Sequence, residues 1–259
     1  MNEHTGLATS FGAAARTYDR YRPGPPPEAV DWLLPPGCGS VLDLGAGTGL
    51  LTRVLAGRVA DVVAVDPDPR MREVLAEACP GAVALEGTAE AVPLPDARVD
   101  AVLVSAAWHW MDPARALPEI ARVLRPGGTL GILWTRRDRS VAWVAELDAY
   151  VADFLGSGDR VGRAIQHMTE RLWLPEGAPF TEVESHAVRW ETRVTADELV
   201  GMFTTYSGYL TQPPVRREEF AAAIRSRFRA LTAADTGTEA GTLPLPMACH
   251  CWRLRAVTG

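Results

Sequence analysis

The 259-residue sequence contains no lysine, so all of its 26 basic residues are arginine. Acidic residues outnumber them, which gives a formal net charge of -6. Because phosphate backbones favour densely cationic surfaces, this balance argues against nucleic acid as a partner. No apolar run approaches the roughly 18 residues of a membrane-spanning helix, and no apolar targeting segment follows the N-terminus. We therefore expect a cytoplasmic protein that has no membrane partner.

Cysteine is also scarce. The four cysteines, Cys38, Cys79, Cys249 and Cys251, are too few and too scattered for a disulfide framework. His250 stands between the last two of them, but in a strand it would lie on the opposite face. Since no fourth ligand is evident, the sequence predicts no metal site.

Apolar residues make up 47% of the chain, which suits one large α/β domain or a core domain with a smaller cap. Short apolar stretches alternate with helical periodicity as far as residue 134, and this alternation predicts a parallel sheet with helices on both faces. The predicted strands are 40–44, 62–65, 83–86, 99–105 and 129–134, with a turn at 125–128. The predicted helices among them are 50–55, 71–78 and 113–124. Beyond residue 134 we predict helices at 141–155, 160–172, 196–206 and 216–231, and strands at 183–194 and 245–257, the last one antiparallel.

A glycine turn is the most informative segment. Val41 to Gly49 reads as a strand that enters a helix through the pattern G-x-G-x-G. Glycine is needed where the backbone angles are unusual and where a ligand approaches the main chain closely. Asp66 ends the next strand about 20 residues later, where an acidic residue accepts hydrogen bonds from ribose hydroxyls. The two features favour an adenosine-containing ligand, either a dinucleotide or S-adenosylmethionine.

Three details favour S-adenosylmethionine over a dinucleotide. Leu50 stands where the third glycine of a dinucleotide turn would be, and no other pyrophosphate anchor is evident. Asp43 precedes the turn, where a carboxylate would repel pyrophosphate but suits a ligand with an ammonium and a sulfonium. The alternative role of Asp43 is to cap the turn through backbone N–H groups. A nicotinamide-dependent oxidoreductase is the main alternative function, and a non-methylating cofactor-binding protein on the same fold is another.

The chain resembles the class I S-adenosylmethionine-dependent methyltransferases over residues 40–134. The resemblance rests on four segments in the family's order, 41–49, 62–67, 87–96 and 123–130. It implies an α/β fold with a Rossmann-like, mostly parallel seven-stranded sheet, helices on both faces, an antiparallel last strand and a helical cap. It also implies an N-terminal helical arm or lid (1–35), a cofactor-binding core (36–135), and a C-terminal part (136–259) with the cap helices and the last two strands.

A narrower resemblance links the chain to the trans-aconitate methyltransferases. It rests on Phe11, Tyr18, Tyr21-Arg22-Pro23 and the segment 106–110, although Pro25 and Pro26 stand where an aromatic residue often follows the glycine. By resemblance, Asp66 binds the ribose, Pro67 and Thr88-Ala89 flank the adenine, and Arg22 meets the methionine carboxylate unless it is simply solvated. The predicted cofactor site comprises Tyr18, Arg22, Asp43, Gly45, Ala46, Gly47, Thr48, Gly49, Asp66, Pro67, Met71, Thr88, Ala89 and Ala106.

The predicted reaction is methyl transfer to a small molecule, for example a carboxylic acid or a natural-product intermediate. A hydroxyl, amine or carbon acceptor needs a general base, whereas a carboxylate needs none. His109 is the candidate base, since it follows the fourth strand and its ordinary pKa is near 6.5. The alternative is that His109 only packs between Trp108 and Trp110.

The candidate substrate-binding residues are aromatic or cationic. Trp108 and Trp110 can line the pocket and attract a sulfonium through their rings, although at least one of them is expected in the core. Arg136, first in a cluster of three arginines, can bind an acidic substrate bidentately, unless the cluster is a solvated face. Tyr206 and Tyr209 can reach the substrate from the cap, with packing as the alternative role. The sequence does not determine the oligomeric state.

Overall fold

The computed structural model describes residues 15–156, 172–234 and 241–257. Within these ranges seven strands form one sheet in the order β3-β2-β1-β4-β5-β7-β6. The strands are β1 (Ser40–Leu44), β2 (Asp61–Asp66), β3 (Val83–Glu86), β4 (Val99–Ser105), β5 (Leu124–Arg137), β6 (Phe180–Val194) and β7 (Leu243–Ala256). The first five are parallel, and β7 runs antiparallel to both β5 and β6. The predicted mostly parallel, seven-stranded α/β fold is therefore confirmed.

Helices connect the strands and form a cap beyond β5. They are α1 (Ala15–Tyr21), α2 (Pro27–Leu33), α3 (Leu50–Ala56), α4 (Pro69–Ala78), α5 (Pro113–Val123), α6 (Ala142–Phe154), α7 (Ala196–Thr204), α8 (Ser207–Leu210) and α9 (Pro214–Ala234), with a 3-10 turn at Trp108–Trp110. Residues 15–26 form the arm, and helices α6 to α9 form the cap. No helix in the described part of the chain is long and apolar enough to cross a membrane.

Local sequence signals explain several helix starts. Asp68 and Asp112 each accept a hydrogen bond from a backbone N–H two residues on, and each is followed by a proline at the first helical position. In α7, Thr195 and Glu198 form a reciprocal capping box. These caps satisfy N–H groups that the first helical turn leaves without partners.

The predicted turn at 125–128 instead lies within β5, which begins at Leu124. The register passes from Val99 opposite Leu124 to Ala101 opposite Thr129, so the segment bulges out of the ladder. Gly127 has a φ of 72°, which suits such a bulge. The predicted helix at 160–172 lies almost wholly outside the described residues, as does Phe11.

The core covers both faces of the sheet. Strand β1 is buried along its whole length, since α2 and α3 pack on one face and α5 on the other. A third apolar cluster joins α6, α7 and α9 to the start of β7 through residues such as Phe203, Phe220 and Leu245. The cap is thereby fixed beside the carboxyl ends of β4 and β5.

Candidate active site

A cavity lies at the carboxyl edge of the sheet, between the arm, the glycine turn and the cap. Its empty space is about 810 Å³, part of which is continuous with solvent. Ligands of open α/β sheets bind at this edge. The lining residues come from every layer of the fold and are Tyr18, Arg22, Pro23, Pro25, Gly45, Ala46, Gly47, Thr48, Leu50, Leu51, Ser105, Ala106, Thr135, Arg136, Arg137, Met202, Tyr206 and Met247.

The glycine turn has the backbone geometry that the motif predicts. Gly45, Gly47 and Gly49 have φ angles of 73°, 55° and 85°, in the left-handed region. A Cβ on Gly45 would come within 2.7 Å of the Ala107 side chain, so close packing also requires glycine there. A Cβ on Gly47 would meet nothing within 4 Å, and Gly47 borders the cavity. The turn thus leaves space for a ligand beside its main chain.

Asp66 ties this turn to the end of β2. Its Oδ2 accepts a hydrogen bond from the Gly47 N–H at 2.8 Å, and its Oδ1 accepts one from the Asp68 N–H at 2.9 Å. Burial raises the pKa of Asp66, and the two backbone donors oppose that shift. Each carboxylate oxygen can accept more than one hydrogen bond, so Asp66 retains capacity for ribose hydroxyls.

Asp43 lies beneath the turn and is completely buried. Its Oδ2 accepts a hydrogen bond from the Thr52 hydroxyl of α3 at 2.6 Å, rather than capping the turn itself. Burial raises the pKa of Asp43 to about 7, since the interior disfavours the charged form. In the described structure Asp43 Oδ1 and Thr48 Oγ1 are buried polar atoms without a hydrogen-bond partner. Two such atoms at one turn fit a site for a polar ligand.

Met71, predicted to bind the cofactor, and the predicted adenine-flanking residues Pro67, Thr88 and Ala89 follow β2 and β3 but are not among the cavity lining. Met71 packs with Ala15 and Val74 in a small buried cluster. Ala89 is buried, and Thr88 pairs with Ala91 through two backbone hydrogen bonds. Pro67 lies beside Asp66, at the same edge of the sheet as the glycine turn. These residues follow β2 and β3, which lie on the opposite side of β1 from β4 and β5 in the sheet.

The arm is docked on the cap beside the cavity. Arg22 donates through Nε to the Thr205 hydroxyl at 2.8 Å, and its guanidinium lies 4.6 Å from the ring centroid of Tyr206 and 5.3 Å from that of Tyr18. No carboxylate among the described residues forms an ion pair with Arg22. Nothing in the local sequence signals Thr205 as a partner, because 183 residues separate the two.

Ala106, directly after β4, has the unusual backbone conformation of a functional loop. Its φ of 53° is left-handed although it is not glycine, while its N–H donates to the Leu133 carbonyl at 2.9 Å. Such conformations cost about 1–3 kcal/mol and cluster at ligand sites. Ala106 lines the cavity, as the predicted cofactor contact requires.

Trp108, His109 and Trp110, which follow Ala106 closely in the sequence, have different surroundings in the structure. Trp108 is 1% exposed and belongs to the core beneath β4. The His109 ring lies 4.4 Å from that of Trp110 and 5.5 Å from that of Trp134. Trp108, His109 and Trp110 are all absent from the cavity lining. Burial, with a contribution from the charge of Arg22, lowers the pKa of His109 to about 4. His109 Nδ1 is buried without a described partner, and the role of His109 as a base remains a prediction.

The three arginines at the carboxyl end of β5 have different surroundings, and two of them, Arg136 and Arg137, are its last two residues. Arg137 is held by Asp148, to which its Nε donates at 2.8 Å, and by the phenolic oxygen of Tyr206, to which its Nη2 donates at 2.9 Å. Arg139 is half exposed and lies 3.9 Å from Asp148. Arg136 lines the cavity, and burial lowers its pKa, with the charge of Arg139 adding to that effect.

Of the two candidate tyrosines of the cap, only one lies at the cavity. Tyr206 lines the cavity, whereas the ring of Tyr209 packs against Phe220 at 5.6 Å and lies outside the lining. Sequence reasoning missed Thr135, Met202 and Met247, which border the cavity from β5, α7 and β7. No local pattern marks them, because only the tertiary fold brings these segments to the turn.

In the described ranges no group of three or more histidine, cysteine or acidic residues is placed to hold a metal ion. The sulfur atoms of Cys249 and Cys251 lie 3.7 Å apart in the core, and the half-buried His250 alternates with them along β7. This arrangement is that of an ordinary buried strand.

The fold and the cavity define a class of α/β enzymes that bind an adenosine-containing ligand at a glycine turn. Comparison with known proteins identifies the family, since a methyltransferase domain matches residues 42–132. An uncharacterized methyltransferase of Mycobacterium tuberculosis is 49% identical over 219 residues, 85% of each chain. A methyltransferase-like protein of Schizosaccharomyces pombe is 32% identical over 231 residues, which is 86% of this chain and 87% of its own.

A solved structure agrees with these relatives. A protein from Anaeromyxobacter dehalogenans, provisionally described as a type II methyltransferase, has a TM-score of 0.69 and 27% identity, covering 92% of this chain and 98% of its own. The chain therefore belongs to the class I S-adenosylmethionine-dependent methyltransferases. This family assignment displaces the nicotinamide-dependent alternative, whereas the narrower resemblance to trans-aconitate methyltransferases remains a prediction.

Proposed function

We propose that this methyltransferase transfers the methyl group of S-adenosylmethionine to an ionised carboxylate oxygen of a small molecule. One observation carries the proposal: the cavity lining holds three arginines and no aspartate or glutamate among the described residues. Arg137 is already paired with Asp148. The guanidinium groups of the lining bring positive charge that a negatively charged ligand would balance.

The residues at the turn suit S-adenosylmethionine. The open space beside Gly47 and the unpartnered atoms Thr48 Oγ1 and Asp43 Oδ1 fit the polar end of this cofactor. In this proposal Asp66 binds the ribose, Arg22 and Tyr18 hold the methionine carboxylate, and Gly45 to Gly49 with Ala106 surround the amino-acid portion. Pro67, Met71, Thr88 and Ala89 are assigned to the adenine. The chain would then act in three parts: an N-terminal arm or lid within residues 1–35, a cofactor-binding core (36–135), and a C-terminal part (136–259) that contains the cap helices and the last two strands.

When bound, the cofactor supplies a methyl group that its sulfonium has already activated. The chain has to align the acceptor and exclude water, and good alignment alone contributes roughly 7–11 kcal/mol. In this proposal Arg22 neutralises the cofactor carboxylate, and Arg136, which also lines the cavity, contacts the acceptor. An arginine fork binds a carboxylate through two parallel hydrogen bonds, which fixes its orientation as well as its position.

The scarcity of bases in the lining supports a carboxylate rather than a hydroxyl or an amine as the acceptor. His109 lies outside the lining, and its pKa of about 4 makes it a weak base. An ionised carboxylate attacks without losing a proton, so it needs no base. A relative from Methylococcus capsulatus is named malonyl-[acyl-carrier protein] O-methyltransferase, with 36% identity over 174 residues, 57% of this chain and 59% of its own. O-methylation by that protein is consistent with an oxygen acceptor here.

The proposal is tested by the chemical stability of the product. The protein is incubated with methyl-tritiated cofactor and either a metabolite extract or a panel of small carboxylic acids, alcohols and amines. Mild alkali then releases volatile tritiated methanol from methyl esters, but not from methyl ethers or methylamines. We expect alkali-labile label, whereas alkali-stable label would show a different acceptor. Bound cofactor with no label in any product would indicate a non-methylating protein.

Arg136 and Arg139 provide a matched pair of variants for the same assay. Arg136→Gln should raise KM for the acid about tenfold or more, because a charge-assisted hydrogen bond contributes about 1.5–3 kcal/mol. Arg139→Gln removes an equal charge from a half-exposed site outside the lining and should leave KM nearly unchanged. Equal effects of the two variants would contradict a specific role for Arg136.

A further inference from the structure

Tyr206 presents a fixed phenol group to the cavity. It follows α7, and its ring packs edge-on against Phe203 with 5.6 Å between centroids. The phenolic oxygen accepts a hydrogen bond from Arg137 Nη2 at 2.9 Å, and Asp148 holds Arg137 through Nε at 2.8 Å. Both the ring and the oxygen of Tyr206 therefore have a defined position at the cavity wall.

The proton of this phenol has no acceptor in the described structure. Arg137 cannot accept it, because a guanidinium has five donors and no acceptor. The contacts of Tyr206 with Phe203 and Arg22 involve its ring rather than its oxygen. The hydroxyl therefore remains able to donate to a group that enters the cavity.

Two guanidinium groups make this hydroxyl a stronger donor than an ordinary phenol. Arg137 contacts the oxygen from β5, and Arg22 lies 4.6 Å from the ring centroid on the side of the arm. Burial alone would raise the pKa of Tyr206, but the two positive charges outweigh burial and lower it, although Asp148 opposes them. A more acidic phenol forms a shorter and stronger hydrogen bond with an anionic oxygen.

We propose that the hydroxyl group of Tyr206 donates a hydrogen bond to the anionic oxygen of the methyl acceptor, and that Tyr206 thereby determines specificity for acids over their neutral derivatives. This inference rests on the carboxylate acceptor of the proposed function. Methyl transfer converts the ionised acid into a neutral ester, so the charge-assisted hydrogen bond is lost in the product. Tyr206 accordingly favours binding of the substrate and release of the ester.

The test compares acids with their methyl esters on protein saturated with S-adenosylhomocysteine. Isothermal titration calorimetry measures Kd for a panel of small mono-, di- and tricarboxylic acids and for the corresponding esters. The variant is Tyr206→Phe, which retains the ring that packs on Phe203. The matched control is Tyr150→Phe, which removes a phenol hydroxyl from the cap beside Phe154, outside the cavity lining.

We expect Tyr206→Phe to weaken acid binding about tenfold or more, in line with the loss of a charge-assisted hydrogen bond. Ester affinity and S-adenosylhomocysteine affinity should stay the same, and Tyr150→Phe should match the wild type. Unchanged acid affinity in Tyr206→Phe would overturn the role of Tyr206 and leave the carboxylate acceptor standing. A weakened affinity for S-adenosylhomocysteine would overturn it too, because the phenol would then serve the cofactor. A wild type that binds no acid better than its ester would overturn both proposals.

A second measurement needs no variant. Raising the pH toward the lowered pKa of Tyr206 removes the donated proton, whereas Arg137, whose pKa is raised by Tyr206 and Asp148, stays charged. Acid affinity of the wild-type protein should therefore decline at alkaline pH, with ester affinity constant over the same range. A parallel response of acids and esters would count against the proposal.

Discussion

At the scale of single residues, the glycine turn rests on two buried carboxyl groups. Asp66 accepts a backbone hydrogen bond on each oxygen, whereas Asp43 has one hydroxyl partner and one oxygen without a partner. Buried carboxyl groups without counter-charges resist ionisation, because the interior disfavours the charged form. The pKa of about 7 for Asp43 thus places a titration of the folded protein near neutral pH.

This titration predicts how stability depends on pH. The ordinary pKa of Asp43 is 3.8, so the unfolded chain ionises this group well before the folded protein does. The contribution of Asp43 to the free energy of unfolding is complete below about pH 4 and is lost as the pH rises through about 7. Its upper limit is about 4 kcal/mol. Asp43→Asn removes this loss. Urea unfolding at pH 4.5 and 7.5 should show the variant gaining stability relative to wild type at the higher pH. If the difference in unfolding free energy between Asp43→Asn and the wild type were the same at both pH values, the prediction would be contradicted.

Gly47 and Gly37 allow a matched comparison at the turn. Both have a positive φ, 55° and 73°, and a Cβ on either would meet nothing within 4 Å. Alanine at either position should therefore lose about 1–2 kcal/mol of stability from backbone strain. Only Gly47 borders the cavity, so only Gly47→Ala should greatly weaken S-adenosylhomocysteine binding. Calorimetry that finds equal affinities for the two variants would argue against a cofactor at this turn.

At the scale of helices and strands, periodicity in the sequence predicts most of the fold. The strands from β1 to β4 match their predicted bounds to within a residue, because short apolar runs between turns have few alternatives. Residues 125–128 were predicted wrongly as a turn, since Pro126 and two glycines are typical of turns. The backbone can also continue as a bulged strand. Pairing on either side of the bulge, of Leu124 with β4 and of Thr129 onward with β4 and β7, favours that outcome here.

The sequence predicts only the part of the candidate site that depends on residues close together in the chain. The glycine turn and Asp66 are predictable, because their spacing is a property of one β-α-β unit. The opposite wall of the cavity is not predictable from the sequence. Trp108 and Trp110 are two positions apart, and Tyr206 and Tyr209 are three apart, so the local sequence does not show which member of each pair, if any, lies at the cavity. Packing of the cap against β7 brings Tyr206 but not Tyr209 to the cavity, and neither tryptophan lines it. No local pattern encodes that packing.

The contact between the arm and α7 predicts a selective effect of one substitution. A Cβ on Gly201 would come within 2.4 Å of the Tyr21 ring, so Gly201→Ala should displace the arm. The better helix propensity of alanine, worth up to about 1 kcal/mol, offsets part of the lost packing. We therefore expect nearly unchanged urea stability but faster tryptic cleavage after Arg20, whereas Pro23 protects the bond after Arg22.

The control for that experiment is Gly81→Ala, where an added methyl group meets nothing within 4 Å and φ is not left-handed. This variant should be cleaved at the wild-type rate. If Gly201→Ala were also cleaved at the wild-type rate, the arm would not depend on its contact with α7.

At the scale of the whole molecule, the cavity has walls from the arm, the sheet edge and the cap. Arg22 joins two of these walls, because it contacts Thr205 and Tyr206 of the cap from the arm. A ligand that binds there touches segments distant in sequence, so it should stabilise the folded chain as a unit. The size of that stabilisation depends only on the ratio of ligand concentration to Kd, provided that the unfolded chain does not bind it.

This coupling predicts a ligand-specific thermal shift. S-adenosylhomocysteine at 100 times its Kd should stabilise the protein by about 2.7 kcal/mol. For a chain of this size each kcal/mol raises Tm by about 2–4 °C, so we expect a rise of roughly 5–11 °C. NADH at the same concentration should give none, because the spacing of the turn places Leu50 where a dinucleotide site needs glycine. Arg22→Met should reduce the rise, since it removes a cation that we assign to the cofactor carboxylate. A shift with NADH but not with S-adenosylhomocysteine would contradict the proposed cofactor site.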